Sequence, residues 1–456
     1  MNEILLPAER VKVAAEADIC VVGGSCTGVF AAVRAARLGA KVILLERQNR
    51  FGGVATLGLV GMWHTLFDIT GKKQIIAGLT FEMLERMEKM QGASPFRKAA
   101  PNGIRINTEI LTMELDRLIQ EQPNIRVFLN CAFSTAITNP DGSIEAVIAE
   151  NKSARFAIRA KMFIDASGDG VLCKKAGVAM RRVESPQPPT SCARFSGWKF
   201  PPGFDLRACM EKYRAELPDL PCGYYWGMDI PGSALHMLAG TRIFNCDCDD
   251  ADQITAAEME ARRQIYAVLK MLKKELPDLP IALETLPAAL GIREGLHIQA
   301  VNQLKGADML SGKHFPDAIA NGTYPSDVHS DQDDSLTFKF MDGSQIIHTK
   351  GKSIPTGRWL PEGQVLPYYQ IHLRCHIPAK IPNLLAAGRM LDADREAFGA
   401  VRVMVNLNQC GEAVGVAAFQ ALQQNVSIHN LDYAQIRSLL EKGGSIILPA
   451  QKPCCP

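Results

Sequence analysis

Apolar and polar positions along the chain first form a buried strand at Asp18-Ile-Cys-Val-Val22. The segment Gly23-Gly-Ser-Cys-Thr-Gly28 follows as a turn. Residues 29–38, rich in alanine, predict a helix that Gly39 stops. A second apolar run, 41–45, ends in Glu46 and completes a β-α-β unit, whose parallel strands share a sheet through a right-handed crossover. After an irregular glycine-rich stretch at 51–61, helices are predicted over 75–90 and 108–122, the latter with Leu111, Leu115 and Leu118 at helical spacing. Residues 126–130, 132–138, 144–150 and 154–158 read as strands of a meander turning at Pro140-Asp-Gly142, and 162–166 as a further buried strand.

From about Ser185 the pattern changes. Prolines cluster, Tyr224-Tyr-Trp226 appears, a charged helix is predicted over 256–274, and Asp331 to Asp334 form an acidic patch expected in a solvated loop. An apolar strand returns at 383–389 and a small-residue helix at 401–422. The expected fold class is therefore α/β. A Rossmann-type nucleotide-binding domain would be assembled from residues 1–185 and 380–456, with an α+β substrate domain, 186–379, inserted between them.

Composition narrows the partners. Of 456 residues, 47% are hydrophobic and 21% charged, and the net charge of +2 offers no electrostatic reason to expect nucleic acid or a membrane surface. Residues 1–10 mix charges and a proline, and the apolar run Ile19 to Val22 is too short for a secretory signal or a membrane span. Thirteen cysteines, an odd number without zinc-like spacing, suit reduced thiols in the cytoplasm and no metal site. A small-molecule ligand is the expected partner, with homo-oligomer formation left open.

The first turn carries chemistry. A phosphate-binding β-α turn uses glycine to bend tightly, to let backbone approach a pyrophosphate, and to pack helix on strand. Gly23 and Gly28 take the first and third positions, with Ser25 at the second, where its hydroxyl can itself donate to phosphate. The helix beginning near Thr27 directs its free N–H groups at the same place. Glu46 stands at the spacing from which an acid takes ribose hydroxyls, which disfavours a 2′-phosphate and hence NADP.

Beyond Glu46, Arg47-Gln-Asn-Arg-Phe-Gly-Gly53-Val-Ala-Thr56 resembles the post-strand signature of FAD enzymes with a glutathione-reductase-like fold. Phe163-Ile-Asp-Ala-Ser-Gly-Asp-Gly170 is similar to the strand-end motif in which an aspartate binds FAD, and Asp169 is the matching residue. Asn383-Leu-Leu-Ala-Ala-Gly-Arg389, Glu396-Ala-Phe-Gly-Ala-Val-Arg-Val-Met404 and Gly411-Glu-Ala-Val-Gly415 resemble the C-terminal signature. In that group a helix points its N-terminus at the flavin, and Asn406, Leu407 and Asn408 lie where it would begin. The chain thus resembles FAD-dependent oxidoreductases distantly related to the fumarate reductase and succinate dehydrogenase flavoproteins. Gly71-Lys-Lys-Gln-Ile-Ile-Ala-Gly78 and Leu290-Gly-Ile-Arg-Glu-Gly295 look like stretches common among them, although Gly295-Leu-His297 departs from the usual continuation with serine and arginine. The cofactor set so implied is Gly23, Gly24, Ser25, Cys26, Thr27, Gly28, Glu46, Arg47, Gly52, Gly53, Val54, Ala55, Thr56, Ala132, Ser167, Asp169, Gly388, Arg389, Val401 and Asn406.

Flavin performs the redox step, so the protein must orient a substrate and manage one proton. His64, after the second glycine loop, is a candidate proton carrier, substrate contact or covalent attachment point, or else an ordinary structural histidine. Arg293 and Glu294 are either a structural ion pair or part of the site. His372, Arg374 and His376 alternate along an expected strand and would share one face, either toward an anionic or polar substrate or toward solvent. Arg402 either holds a substrate carboxylate or anchors its loop. Cys454 and Cys455 near the C-terminus would be a redox pair in some flavin reductases, but those also carry a CxxxxC pair beside the flavin and a second nucleotide loop, and neither is found.

The sequence therefore predicts an FAD enzyme moving hydride between a small polar organic substrate and flavin N5. With no NAD(P)H domain, an unknown acceptor or donor (oxygen, a quinone, a carrier protein or a second substrate) would complete the cycle. The alternatives are reduction of an activated double bond with an arginine as proton donor, and a binding or assembly subunit whose flavin is structural.

Overall fold

A computed structural model describes residues 3–5 and 7–448; Cys454 and Cys455 lie outside the described residues. Strand β1 (Lys12–Val22) enters the core at Ile19 and leads through the glycine turn into helix α1 (Cys26–Arg37) and strand β2 (Val42–Leu45). β2 pairs in parallel with β1, as the β-α-β pattern requires. Strand β3 (Ile125–Phe128) does not join the expected meander. It pairs in parallel with the other edge of β2, because the helix Thr108–Gln120 before it carries the chain back across the sheet as a crossover. The meander is β4 (Ala132–Thr138), β5 (Ile144–Glu150) and β6 (Arg155–Asp165).

The two runs expected at 154–158 and 162–166 are a single strand, and the length of β6 serves two partners. Along one edge it pairs in parallel with β1. Along the other, its first half pairs with β5 and its last three residues with β7 (Leu384–Ala386). That second pairing returns the C-terminal part of the chain to the sheet. The spatial order is β3-β2-β1-β6-β5-β4, with β7 also on β6, so the sheet is mixed around a parallel centre.

Helix α2 (Met404–Gln424) closes the core against α1. The run expected at 401–422 is thus broken: a short helix, Arg395–Val401, ends before Arg402 and Val403, and α2 starts afresh. Gly411 and Gly415 let α1 and α2 approach, since a Cβ on either would collide with the carbonyl oxygen of Thr27 or Ala31. Alanine favours a helix interior by roughly 0.5–1 kcal/mol over glycine, but overpacking costs about 1–3 kcal/mol. Gly411→Ala should therefore lower the urea midpoint, whereas a raised midpoint would show that the helices separate freely. The same interface buries an ion pair between Arg34 and Glu412, whose carboxylate also accepts from the Leu79 N–H at 2.9 Å.

The middle of the chain builds two further antiparallel sheets. One contains Cys192–Ser196, Trp226–Asp229, His236–Ala239 and Ala282–Thr285, packed against the long helix Ala251–Glu275. The other contains Ser326–His329, Leu336–Lys339, Ser344–Thr349 and Lys352–Arg358. The acidic patch between their strands is only partly solvated: Asp333 is exposed but Asp331 is buried. Among the described residues, no helix is long and apolar enough to cross a membrane.

Candidate functional site

The glycine turn is held from three sides. Ser25 is the N-cap of α1, its Oγ accepting from the Gly28 N–H at 3.2 Å, so the helix opens at Cys26 and presents its free N–H groups outside the end of β1. A Cβ on Gly28 would strike the Gly23 carbonyl, and one on Gly23 would lie 2.5 Å from the backbone of Ala166. Glu46 accepts from the Gly24 N–H at 2.7 Å and the Gln48 N–H at 2.8 Å, locking the acid under the turn. Gly52 and Gly53 both have positive φ, and the Gly52 N–H donates to the Gly24 carbonyl at 2.8 Å, so the two glycine loops lie side by side. A Cβ on Gly53 would lie 2.9 Å from that of Ser25.

Other residues of the expected cofactor set fall into distinct places. Asp169 pairs with Arg389, and a Cβ on Gly168 would lie against the same guanidinium, so the β6 end and the Gly388-Arg389 turn face each other. Ser167 donates to Asp165 at 2.6 Å. Arg47 and Ala132 are exposed near the β2 end. Cys26 and Thr27 are buried, and Val54 is the exposed member of the turn Gly53–Ala55. The Thr56 hydroxyl is spent on the Phe51 carbonyl at 2.6 Å. Ala55 and Val401 are fully buried. Asn406 is buried too, with its amide nitrogen donating to the Tyr369 hydroxyl at 3.0 Å and the Ala400 carbonyl at 3.2 Å. It is therefore a core fastener at the start of α2. Asn408, also fully buried, has no partner for either amide atom among the described residues.

A second constellation lies beyond the glycine loops. The Leu57 carbonyl accepts from the Ala288 N–H at 2.8 Å, which brings the segment carrying Arg293 beside the second loop. His64 packs on Tyr324 with ring centroids 4.0 Å apart and the rings tilted by 39°. The Tyr324 hydroxyl donates to Asp327 at 2.6 Å, and Arg402 donates to the same carboxylate at 3.0 Å. Behind them His329 Nε2 lies 3.2 Å from Asp327, while its Nδ1 accepts from Arg242 at 3.1 Å. A guanidinium only donates, so the His329 proton sits on Nε2, facing the acid. His64, Arg293, Tyr324 and Arg402 are half-buried and form an accessible wall; Asp327, His329 and Arg242 are buried and support it.

Burial sets the protonation of the wall. It holds His64 down to about 4, with Asp327 opposing and Arg402 assisting. It holds His329 down to about 3, helped by Arg293. Burial and Asp327 push the Tyr324 phenol well above its usual value. Burial would raise the Asp327 carboxyl, but His329, Arg402 and the Tyr324 hydroxyl hold it well below the usual range. At neutral pH the wall and its support thus carry neutral imidazoles, a phenol and an ionised acid.

The family described as FAD dependent oxidoreductase matches residues 18–440 of this sequence. The chain belongs to that family. FAD is accordingly the cofactor of this FAD dependent oxidoreductase, and the turns fit it: a capped helix N-terminus, an acid under the turn, and glycines where any side chain would collide. No curated protein matches. Among solved structures, the chain is similar to a geranylgeranyl bacteriochlorophyll reductase-like protein from Thermoplasma acidophilum, at 12% identity and a TM-score of 0.47, over 94% of this chain and 84% of that one. It is similar to p-nitrophenol 4-monooxygenase from Pseudomonas putida, at 10% identity and a TM-score of 0.44, over 94% and 86%. It is also similar to a flavin-dependent brominase, at 11% identity and a TM-score of 0.44, over 94% and 84%.

Two expectations about the family member's polar residues fail. His372, Arg374 and His376 do not share a face, because the strand ends at His372 and Leu373–His376 turns as a 3-10 helix, where period-two alternation is lost. His372 is buried and accepts from the Cys375 N–H at 3.2 Å; Arg374 grips Asp317 at 2.9 and 3.0 Å; His376 donates to the Ala386 carbonyl at 2.9 Å. The two histidines are core fittings, His376 against β7, and Arg374 is a partly exposed anchor on Asp317. Nor do Arg293 and Glu294 pair with each other: Arg293 donates to the Pro188 carbonyl at 2.6 Å, and Glu294 accepts from the Gln187 N–H at 2.9 Å and lies 3.3 Å from His297. Conversely, Arg242, Tyr324, Asp327 and His329 join the site without having stood out in the sequence. Their one local signal is that Asp327 and His329 stand two apart on a strand and share a face.

Proposed function

We propose that this chain transfers hydride between a small polar organic substrate and flavin N5, and that His64 handles the accompanying proton. FAD, when bound, supplies the two-electron acceptor. The observation that carries the reading is the half-buried wall of His64, Tyr324, Arg293 and Arg402 beside the second glycine loop, with His64 held neutral. A neutral imidazole in reach of a substrate hydroxyl or amine takes its proton as hydride leaves the carbon. Tyr324 orients that imidazole by ring packing, and Asp327 fixes both Tyr324 and Arg402. The pyrophosphate would lie on the first turn and the N-terminus of α1, the ribose on Glu46, and Asp169 would bind beside Arg389.

The proposal includes a glutathione-reductase-like FAD domain from residues 1–185 and 380–456 and an inserted substrate domain, 186–379. Support comes from β7, which rejoins the sheet of the first part, and from the wall, to which both parts contribute. The eleven described cysteines are free, which suits a cytoplasmic setting. The runner-up runs the same wall in reverse, saturating an activated double bond with Arg293 as proton donor. Its supporting observation is that burial, with Arg402 and Arg242, pushes the Arg293 guanidinium down to about 9.

An anaerobic panel of hydroxy acids, amino acids, sugars and amines tests the reading: at least one class should bleach the flavin absorbance. If none does, and the dithionite-reduced protein is reoxidised by fumarate-like acceptors but not by oxygen, the runner-up holds. The pH dependence follows from His64. Its reactive neutral form exists above its pKa, so bleaching should stay level from neutral pH to about 5 and fall only as pH drops through about 4. A limb at the ordinary imidazole value, about 6.5, would contradict this. Stability moves the same way, because below that ordinary value the unfolded chain binds protons that buried His64 and His329 refuse.

A further inference from the structure

Two guanidinium groups, Arg402 and Arg293, stand at this wall against the buried Asp327 carboxylate, and a third, Arg242, lies behind it. Arg402 donates to Asp327, Arg242 donates to His329, and Arg293 lies within electrostatic reach of Arg402, Arg242 and Asp327. Asp333 and Asp334 also lie within electrostatic reach of Arg242, so with both imidazoles neutral the excess is the one positive charge by which Arg293 and Arg402 outnumber Asp327. Burying charge without a partner is costly, and the FAD phosphates do not account for the excess, because their place is the glycine turn at the N-terminus of α1.

The hydrogen bonding points the same way. Arg293 offers five N–H donors and, among the described residues, spends one on the Pro188 carbonyl. Gln187 is fully buried, its Oε1 accepts from the His329 N–H at 3.1 Å, and its Nε2 has no partner among the described residues. Arg242 is 2% exposed and its Nε is likewise unpartnered, while its other nitrogens hold the Asp334 carbonyl at 3.1 Å and His329. These are donors held in place by structure, in surplus over acceptors, around one accessible wall.

We propose that the substrate bears a carboxylate and that Arg293 and Arg402 receive it, with Arg242 and Gln187 as positioning residues behind them. The planar forks of two guanidinium groups match the paired oxygens of a carboxylate. A carboxylate held there brings the cluster close to neutral and sets the rest of the molecule against His64. The inference rests on the reading of this wall as the substrate site.

The test uses the FAD-loaded full chain and unreactive probes. Benzoate and oxalate are titrated against benzamide and oxamide, with the flavin difference spectrum and the melting temperature as readouts. The carboxylates should perturb the spectrum and raise the melting temperature at concentrations where the amides do neither. Arg293→Gln should weaken carboxylate binding roughly tenfold or more, and Arg358→Gln, an exposed strand residue, should leave it unchanged. If Arg293→Gln does not fold, Arg293→Lys keeps the charge without the fork and should still bind more weakly. Equal binding of amides and carboxylates, or undiminished affinity in either Arg293 variant, overturns the proposal. Bleaching by uncharged substrates alone, with no response to carboxylates, sinks this inference and leaves hydride transfer standing. Carboxylate binding with no bleaching by any substrate keeps the anion site and sinks hydride transfer.

Discussion

Replacing His64 by asparagine should slow anaerobic flavin reduction by roughly 10²–10⁴-fold, the usual span for loss of a positioned general base, while FAD content stays that of the parent. The size of the effect follows from the surroundings. Tyr324 is kept as a phenol by burial and Asp327, so it cannot take the proton in place of His64. Asp327 is ionised but buried behind the wall, its Oδ2 taken by Tyr324 and Arg402 and its Oδ1 3.2 Å from His329 Nε2. His329 is neutral but sits behind the acid and is fully buried. His64 is the one member of the accessible wall that carries an unprotonated basic nitrogen. Asparagine preserves most of the volume and a polar edge, so a loss of fold would not be mistaken for a loss of base. A rate within about threefold of the parent would remove His64 from the chemistry.

Gly28→Ala should give a protein that keeps its secondary structure but binds FAD about 100-fold more weakly. The added Cβ would collide with the Gly23 carbonyl, a backbone atom that cannot swing aside as a flexible side chain would. Relief requires moving either the turn or the start of α1, and overpacking of this kind costs about 1–3 kcal/mol. Because every 1.4 kcal/mol is tenfold in affinity, the upper part of that range corresponds to about two decades. The shift falls on binding because the displaced groups are the helix N-terminus and the Gly24 N–H that Glu46 holds. Measured FAD dissociation, with far-UV circular dichroism as the check on folding, decides the matter. Unchanged affinity would place the pyrophosphate elsewhere.

What could be read from the sequence was short-range. The β-α-β unit, Ser25, Glu46 and Gly52-Gly53 all lie within residues 18–53, where spacing translates into geometry without knowledge of the fold. His64 followed from its place after the second glycine loop. Arg242, Asp327 and His329 did not, because three separate pairings bring them together: their segments lie far from residue 64 along the chain and meet it only once the middle sheets have folded. The errors are equally physical. His372, Arg374 and His376 were placed on one face by alternation, but a 3-10 turn replaces the strand. Residues 125–128 looked like the start of a meander, but the helix before them makes them a parallel strand. Asn406 lies where the helix begins, as expected, but its amide nitrogen turns inward to Tyr369 and Ala400.

The most direct test of hydride transfer is a stopped-flow comparison under anaerobic conditions, using whichever substrate bleaches the flavin. Deuterium at the carbon to be oxidised should slow bleaching in the parent protein. His64→Asn should keep that isotope sensitivity while lowering the rate. A bleaching rate indifferent to deuterium at that carbon, under conditions where substrate binding is fast and saturating, would contradict the account.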